Sequence, residues 1–308
     1  MSSEGGMRAV VAALAANLGI AVSKFIAFAF TGSSSLLTEA IHSVADSGNQ
    51  VLLLIGNKRS KKDADARHNF GYGRRRFVYG FVVAVVLFLV GGVFSLYEGL
   101  HKIQHPEPVK DAWIAFLVLG VAIVLESFSF RTAIIEAKHA KGTRSYARFL
   151  RDARQPELPV ILLEDAGALV GLVLAMLGVT LAVVTGNGVW DGMGAVCVGL
   201  LLLIIAVFLA MEMAAMLVGE TALPEEVDAI RAALESTDGV QRVIHLRTMH
   251  VGPDELLVGA KIAVAHSDTG AQIADTIDLA EAALRAAVPT ARYVFLEPDI
   301  DRTAPVAP

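Results

Sequence analysis

The stretch LTEAIHSVADSGNQ, residues 37–50, decides how this sequence folds. It lies within one of the most apolar regions of the chain, yet it carries Glu39, His42 and Asp46. On a helix, residues four apart share a face, so His42 and Asp46 project together, and Glu39 lies one turn earlier on nearly the same side. A charge at the bilayer centre costs at least ~2.5 kcal/mol, so such a side chain faces the protein interior and has a partner.

Two interpretations fit this pattern. The first is a structural, hydrogen-bonded pair inside a helix bundle, which is the usual explanation for a lone histidine. The second is a functional site. Because the His-x3-Asp spacing is preceded by a further acid within apolar sequence, we favour the functional site.

The composition of the chain indicates a membrane protein. The chain has 308 residues, of which 55% are hydrophobic, and its mean hydropathy is +0.58. A formal net charge of −5 predicts no nucleic-acid partner. The single cysteine, Cys197, excludes an internal disulfide framework and a thiolate metal cluster. The abundance of alanine, valine and arginine indicates a bacterial plasma membrane, and no cleavable signal peptide or lipidation motif is evident.

Apolar stretches long enough to cross a bilayer, which takes about 20 residues, predict six transmembrane helices. They cover approximately residues 8–30, 34–56, 77–100, 112–133, 157–185 and 189–218. Eight Lys and Arg residues lie between the second and third stretches, and six lie between the fourth and fifth. The other connections are poor in basic residues, so both termini are expected on the cytoplasmic side.

From Thr221 onward the sequence predicts a small soluble domain. The residue patterns indicate an amphipathic helix, two strands joined at GPDE, a second amphipathic helix and a last strand. The order αββαβ is typical of a ferredoxin-like α+β fold. We therefore expect residues 1–220 to form a six-span transmembrane domain and residues 221–308 to form a cytoplasmic domain.

The fifth predicted span, residues 157–185, supplies a second pair of acids, Glu164 and Asp165, within the stretch LPVILLEDAGALVGLVLAML (158–177). Adjacent residues on a helix diverge by about 100°, so one of them can be a ligand while the other pairs elsewhere. An imidazole nitrogen with carboxylate oxygens suits tetrahedral Zn²⁺, and it also accepts Co²⁺, Fe²⁺ or Mn²⁺. The sequence has no His-Glu-x-x-His motif and no nucleophile–base set, so we expect no enzyme.

Four segments of the chain resemble the cation diffusion facilitator family of divalent metal/proton antiporters, and the last two resemble its mitochondrial zinc transporter branch. They are TGSSSLLTEAIHSVADSGNQ (31–50), RHNFGYGRRRFVYG (67–80), AKGTRSYARFLRDARQPELPVILLEDAGALVG (140–171) and TGNGVWDGMGA (185–195). The resemblance implies a six-span fold, a homodimer, and export of Zn²⁺ by alternating access through a site between spans two and five. It implies no prosthetic group; the metal ion, protons and membrane lipid are the expected partners.

Carried over by position, the resemblance makes His42, Asp46 and Asp165 ligands of the transported metal. Members of the family commonly have a second His or Asp four residues before the span-five Asp, where this chain has Ile161. Three candidates for the fourth ligand stay open, in the order Glu164, a water molecule and Glu39. The alternatives to zinc export are a carrier of Mn²⁺, Fe²⁺ or Co²⁺, and a membrane metal sensor or scaffold without flux.

Four further residues are candidates for secondary or structural roles. Glu126 in span four is either a coupling residue or the partner of a buried Lys24 in span one. Asp65 and His68 occupy positions where the resemblance places a second metal site, but Tyr72 replaces the next ligand, so we expect a weak or empty site.

The soluble domain carries His245, His250 and His266. The resemblance places a regulatory metal site in this domain, but Leu296 stands where a histidine is common. We therefore expect scattered surface histidines and a domain that serves dimerisation.

Overall fold

The computed structural model describes residues 3–302, with side chains described from Asn17 onward except at residues 35, 139 and 140. The chain forms two compact units. One contains the chain up to Lys58 together with Phe77–Ala214, and the other contains Arg59–Arg76 together with the chain from Ala215 onward.

The first unit is helical. Its helices are α1 (Ser3–Thr31), α2 (Ser34–Ser60), α3 (Arg75–Val86), α4 (Phe94–Gln104), α5 (Ala112–Lys141), α6 (Tyr146–Asp152), α7 (Glu157–Thr185) and α8 (Val189–Val218). A π-helical segment, Leu87–Val93, joins α3 to α4, so that Arg75–Gln104 is one continuous helix. The bounds of α7 and α8 coincide with the predicted spans, whereas α6 and the π-helical segment were not predicted.

Within the described residues, four helices are long and apolar enough to cross a membrane. They are Arg75–Gln104, Ala112–Lys138, Glu157–Thr185 and Val189–Val218. The described apolar part of α1 is the shorter stretch Asn17–Thr31. Helix α2 is 27 residues long, but polar residues interrupt its apolar sequence, so composition alone does not identify it as a span.

Glycines bring the backbones of α4 and α8 into direct contact. A Cβ atom added at Gly99 would lie 2.7 Å from the carbonyl oxygen of Gly192 and 2.7 Å from the backbone nitrogen of Val196. A side chain at this position therefore requires the helices to move apart. Such small residues are common where membrane helices pack closely.

A buried carboxylate fixes the first turn of α2. The fully buried side chain of Asp191, at the start of α8, accepts hydrogen bonds from the Ser33 hydroxyl (2.8 Å) and the Ser34 backbone nitrogen (2.9 Å). Ser34 also donates its hydroxyl to Glu98 of α4 at 2.9 Å. An acid at a helix N-terminus satisfies free N–H groups and complements the helix dipole. These bonds hold the first turn of α2 against α4 and α8.

The second unit contains the C-terminal α/β domain. Its elements are α9 (Pro224–Glu235), β1 (Arg242–Gly252), β2 (Glu255–Ala263), α10 (Gly270–Ala287) and β3 (Ala291–Asp299). This order agrees with the predicted αββαβ pattern. Strand β2 lies in the middle of the sheet, antiparallel to β1 and parallel to β3. Apolar residues of both helices and the sheet, including Ile230, Leu234, Ile262 and Leu284, form its core.

The connection between α2 and α3 folds against the turn between β1 and β2. A Cβ atom added at Gly73 would lie 2.6 Å from Glu255 Oε2 and 2.9 Å from the Gly252 Cα atom. Arg76 Nη1 lies 3.3 Å from Asp254 Oδ2. This connection is therefore part of the same compact unit as the α/β domain.

Candidate functional site

His42 and Asp46 form the centre of the site on α2. Their separation by four residues places them one above the other, and His42 Nε2 lies 3.4 Å from Asp46 Oδ2. The side chain of His42 is 1% exposed and that of Asp46 is 14% exposed. The predicted pair therefore lies together inside the helical unit.

Glu39 is paired with Lys24 of α1. The two side chains are fully buried, and Lys24 Nζ lies 3.2 Å from Glu39 Oε2 and 2.7 Å from the hydroxyl oxygen of Ser43. The sequence left Glu126 open as the partner of Lys24 or as a coupling residue; in the structure Lys24 bonds to Glu39. Glu126 is half-buried on α5, one turn before Ser129.

Glu164 and Asp165 of α7 contact different helices. Asn49 of α2 donates its amide nitrogen to Glu164 Oε1 at 2.6 Å, and Ser129 of α5 donates its hydroxyl to Asp165 Oδ2 at 2.8 Å. Glu164 is buried and Asp165 is half-buried. The divergence of adjacent helical residues explains why the two acids have separate partners.

Several buried polar atoms of α2 have no hydrogen-bond partner among the described residues. They are Thr38 Oγ1, Glu39 Oε1, both ring nitrogens of His42, Asp46 Oδ1 and Asn49 Oδ1. An unsatisfied buried polar atom is costly, and native proteins have few of them. Because these atoms recur along a single helix, α2 presents a row of nitrogen and oxygen atoms of the kind that coordinate cations.

The four predicted ligands are not gathered around one point. Within the described part of the chain, no three His, Cys, Asp or Glu side chains lie close enough to hold a metal ion together. His42 and Asp46 are held on α2, while Glu164 and Asp165 of α7 are engaged by Asn49 and Ser129. Binding of one ion by both helices therefore requires these hydrogen bonds to be exchanged.

Ile161 lies where the family commonly has another ligand. Its side chain is half-buried and packs against two apolar clusters of the helical unit, one that includes Leu202 and one that includes Phe149. An apolar residue in this environment offers nothing to a cation, so α7 contributes one candidate ligand fewer than the common pattern.

The second predicted site, at Asp65 and His68, is occupied by hydrogen bonds within the loop. Asp65 Oδ2 accepts from Lys62 Nζ (2.9 Å) and from the Tyr72 hydroxyl (2.7 Å), and Oδ1 accepts from the backbone nitrogens of Arg67 and His68. The bonds from Lys62 and Tyr72 hold the pKa of Asp65 well below its usual range. The ammonium group of Lys62 thus occupies the position next to Asp65 that a metal would need.

The histidines of the α/β domain differ in their exposure to solvent. His245 and His266 are exposed, but His250 on β1 is buried, so the expectation of a surface position was wrong for His250. Leu296, at the position where the resemblance places a histidine, packs against the apolar core of the domain.

Sequence reasoning indicated Asn49 as a hydrogen bonder between helices, which its bond to Glu164 confirms, but it missed Ser43 and Ser129. Asn49 lies seven residues after His42, so its helical spacing placed it on the same side of α2. Ser43 and Ser129 carry no distinguishing signal, because serine hydroxyls also bond to the helix backbone.

Comparison with known families defines the class of the protein. The family model for the cation efflux transmembrane domain matches residues 10–218, and the model for the cation efflux cytoplasmic domain matches residues 222–299. The chain therefore belongs to the cation efflux, or cation diffusion facilitator, family of metal transporters. It is an integral membrane protein with several spans.

The individual relatives have low sequence identity to this chain. The mouse protein named proton-coupled zinc antiporter SLC30A9, mitochondrial, is 32% identical over 242 residues, which cover 78% of this chain and 42% of the relative. Metal tolerance protein C4 of Arabidopsis thaliana is 28% identical over 266 residues, covering 85% of this chain and 58% of the relative. The chain thus spans less than two thirds of either relative.

A solved C-terminal domain of the protein MamM is 24% identical to part of this chain. It covers 25% of this chain and 95% of its own length, with a TM-score of 0.24.

Proposed function

We propose that this protein is a divalent metal/proton antiporter that exports Zn²⁺ from the cytoplasm by alternating access. The observation that carries the proposal is the row of buried nitrogen and oxygen atoms on α2, around His42 and Asp46, that make no hydrogen bond within the described part of the chain. A structural pair would have satisfied these atoms, whereas a transported cation satisfies them only while it passes.

The ligands of the transported ion are His42 and Asp46 from α2 and Asp165 and Glu164 from α7. Because Asn49 and Ser129 now engage the two acids of α7, metal binding replaces hydrogen bonds with metal–oxygen bonds and draws α2 and α7 toward one ion. A ligand that binds one arrangement of helices better than another shifts the population between them. Such a shift provides the two states of alternating access.

Proton exchange follows from the chemistry of the ligands. A metal binds neutral imidazole and ionised carboxylates, so its arrival releases protons from these groups. Histidine is the side chain whose ordinary pKa lies nearest neutral pH. Protonation of His42 and a carboxylate from the opposite side of the membrane then ejects the metal, and the proton gradient drives export.

In the proposed architecture the protein has six spans, which are α1, α2 and the four membrane-capable helices. The transport domain covers residues 1–220, and residues 221–308 form a cytoplasmic domain that joins two copies in a homodimer. Both termini face the cytoplasm of a bacterium. The name of the mouse relative, a proton-coupled zinc antiporter, supports the choice of zinc and of proton coupling.

The test is metal flux in proteoliposomes with an imposed pH gradient, measured separately for Zn²⁺, Mn²⁺, Fe²⁺ and Co²⁺. The site variants are His42→Ala and Asp165→Ala. Their matched controls are His105→Ala at the exposed end of α4 and Asp152→Ala on α6, which remove the same side chains elsewhere.

We expect gradient-driven Zn²⁺ movement in the wild type and in both controls, and its loss in both site variants. Movement of Mn²⁺ or Fe²⁺ in place of Zn²⁺ would contradict the choice of metal while keeping the carrier. Binding of metal by folded protein without any flux would overturn the transport function and favour a sensor or scaffold.

A further inference from the structure

Lys24 of α1 is a buried lysine that contacts α2 next to the candidate site. Its ammonium nitrogen bonds Glu39 Oε2 at 3.2 Å and the hydroxyl of Ser43, the residue next to His42, at 2.7 Å. The exposure of the two charged side chains is 1% for Lys24 and 0% for Glu39. Because both charges are buried, the loss of either partner leaves the other charge uncompensated and is costly.

Glu39 has one oxygen that Lys24 does not engage. Glu39 Oε1 has no hydrogen-bond partner among the described groups, and a Cβ atom added at Gly171 of α7 would lie 2.8 Å from it. This oxygen therefore faces α7, the helix that carries Glu164 and Asp165. Without Lys24, Glu39 would offer a whole carboxylate to a cation beside His42.

Lys102 shows that a buried lysine does not by itself produce this arrangement. It is also buried in the helical unit, and its ammonium nitrogen lies 3.2 Å from the backbone oxygen of Gly32. Lys102 donates to a backbone carbonyl in the connection between α1 and α2, whereas Lys24 contacts a carboxylate in the row of polar atoms on α2.

We propose that Lys24 is a specificity-determining residue, which holds Glu39 out of the metal's ligand set and lowers the negative charge of the site by one. This inference rests on the proposed transport function. The remaining ligands, one imidazole and the carboxylates of Asp46 and α7, form the small mixed set that tetrahedral Zn²⁺ accepts. A further carboxylate would favour Mn²⁺, which prefers more oxygen ligands.

The charge of Lys24 also affects how strongly the site binds a metal ion. An ammonium group in a dry interior repels a nearby divalent cation, and this repulsion is much stronger than in water. Glu39 cancels the repulsion while the pair is intact. Removal of one member of the pair therefore changes metal binding with a sign that depends on which member is removed.

The experiment measures equilibrium binding of Zn²⁺ and of Mn²⁺ to the full-length protein in detergent, by competition with a chelating dye, together with flux in proteoliposomes. The variants are Lys24→Met, Glu39→Gln and the double variant Lys24→Met/Glu39→Gln. Lys102→Met is the matched control, because it removes a buried ammonium group that does not contact Glu39.

Lys24→Met frees Glu39, so we expect Mn²⁺ affinity to rise at least ~10-fold relative to Zn²⁺ affinity. The double variant removes both charges and returns the ratio of the two affinities to the wild-type value, and Lys102→Met leaves the ratio unchanged. A Lys24→Met protein with the wild-type ratio, or a double variant that keeps the altered ratio, would overturn the inference.

A second comparison applies if Lys24→Met does not fold. Glu39→Gln leaves the ammonium group uncompensated, so we expect it to bind both metals at least ~10-fold more weakly than the double variant. Equal binding by these two proteins would refute the role of Lys24. Wild-type protein that neither binds nor carries metal would defeat the proposed function itself, whereas normal wild-type transport with an unaltered ratio would defeat only the inference about Lys24.

Discussion

The hydrogen bond between Asn49 and Glu164 provides a prediction with two effects of opposite sign. It joins α2 to α7 through a distance of 2.6 Å between buried atoms. If Glu164 is a ligand, the arriving metal competes with Asn49 for the same carboxylate oxygen. Asn49→Ala should therefore lower the stability of the protein and raise its affinity for metal.

The magnitude follows from the chemistry of this bond. Hydrogen bonds between membrane helices contribute about 0.6 kcal/mol on average and at most ~1.7 kcal/mol. Because this bond is short and both of its side chains are buried, we expect a loss near the upper end of that range, about 1.5 kcal/mol, in the free energy of unfolding. The same free energy, released to metal binding, raises the affinity for Zn²⁺ by about tenfold.

The assay combines unfolding in detergent micelles with zinc titration of the folded variant by chelator competition. The control is Asn187→Ala, because Asn187 is an exposed asparagine between α7 and α8 whose side chain accepts a hydrogen bond from the nearby Val189 backbone nitrogen. Zinc affinity that falls together with stability, or that stays at the wild-type value, would refute the competition between Asn49 and metal for Glu164.

Three further substitutions test the packing and the ligand set. Gly99→Ala should destabilise the helical unit by about 1–3 kcal/mol in thermal unfolding, because the new methyl group meets backbone atoms. Gly120→Ala on α5, which has open space around it, should be neutral or stabilising. Equal effects of the two substitutions would contradict the close contact of α4 and α8. Gly73→Ala should increase hydrogen exchange of the α2–α3 connection by displacing it from the β1–β2 turn, and Gly270→Ala, also in open space, should not; unchanged exchange in both would contradict the docked loop. Ile161→His supplies an imidazole on α7 and should raise Zn²⁺ affinity at least ~10-fold in chelator competition; an unchanged affinity would place this position outside the ligand shell.

The helices were predictable where apolar length and breaker residues coincide. Helix α7 begins after Pro156 and ends before Gly186, whose φ of 65° only glycine adopts freely. The strands were likewise indicated by alternation and by the turn at GPDE. The π-helical segment left no such signal; Gly92 within it packs closely against Leu203 of α8, a contact that only the folded chain defines.

The site was predictable in its residues more than in its pairings. Spacing on one helix places His42 beside Asp46, because that relation is set by the local geometry of the backbone. The partner of Lys24 depends on how α1 is rotated against α2, and no local pattern encodes that rotation. The hydrogen bonds of Lys62 and Tyr72 to Asp65 were missed for a similar reason, because they depend on the conformation of the loop between Lys62 and Tyr72.

The central claim is that protons and metal exchange at the polar face of α2. The most direct measurement records Zn²⁺ and H⁺ simultaneously in the same sealed vesicles, with a zinc gradient and no imposed pH gradient. The account predicts proton movement opposite to zinc in the wild type and loss of both movements in His42→Ala. Zinc movement without any proton movement, or coupled movement that persists in His42→Ala, would contradict it.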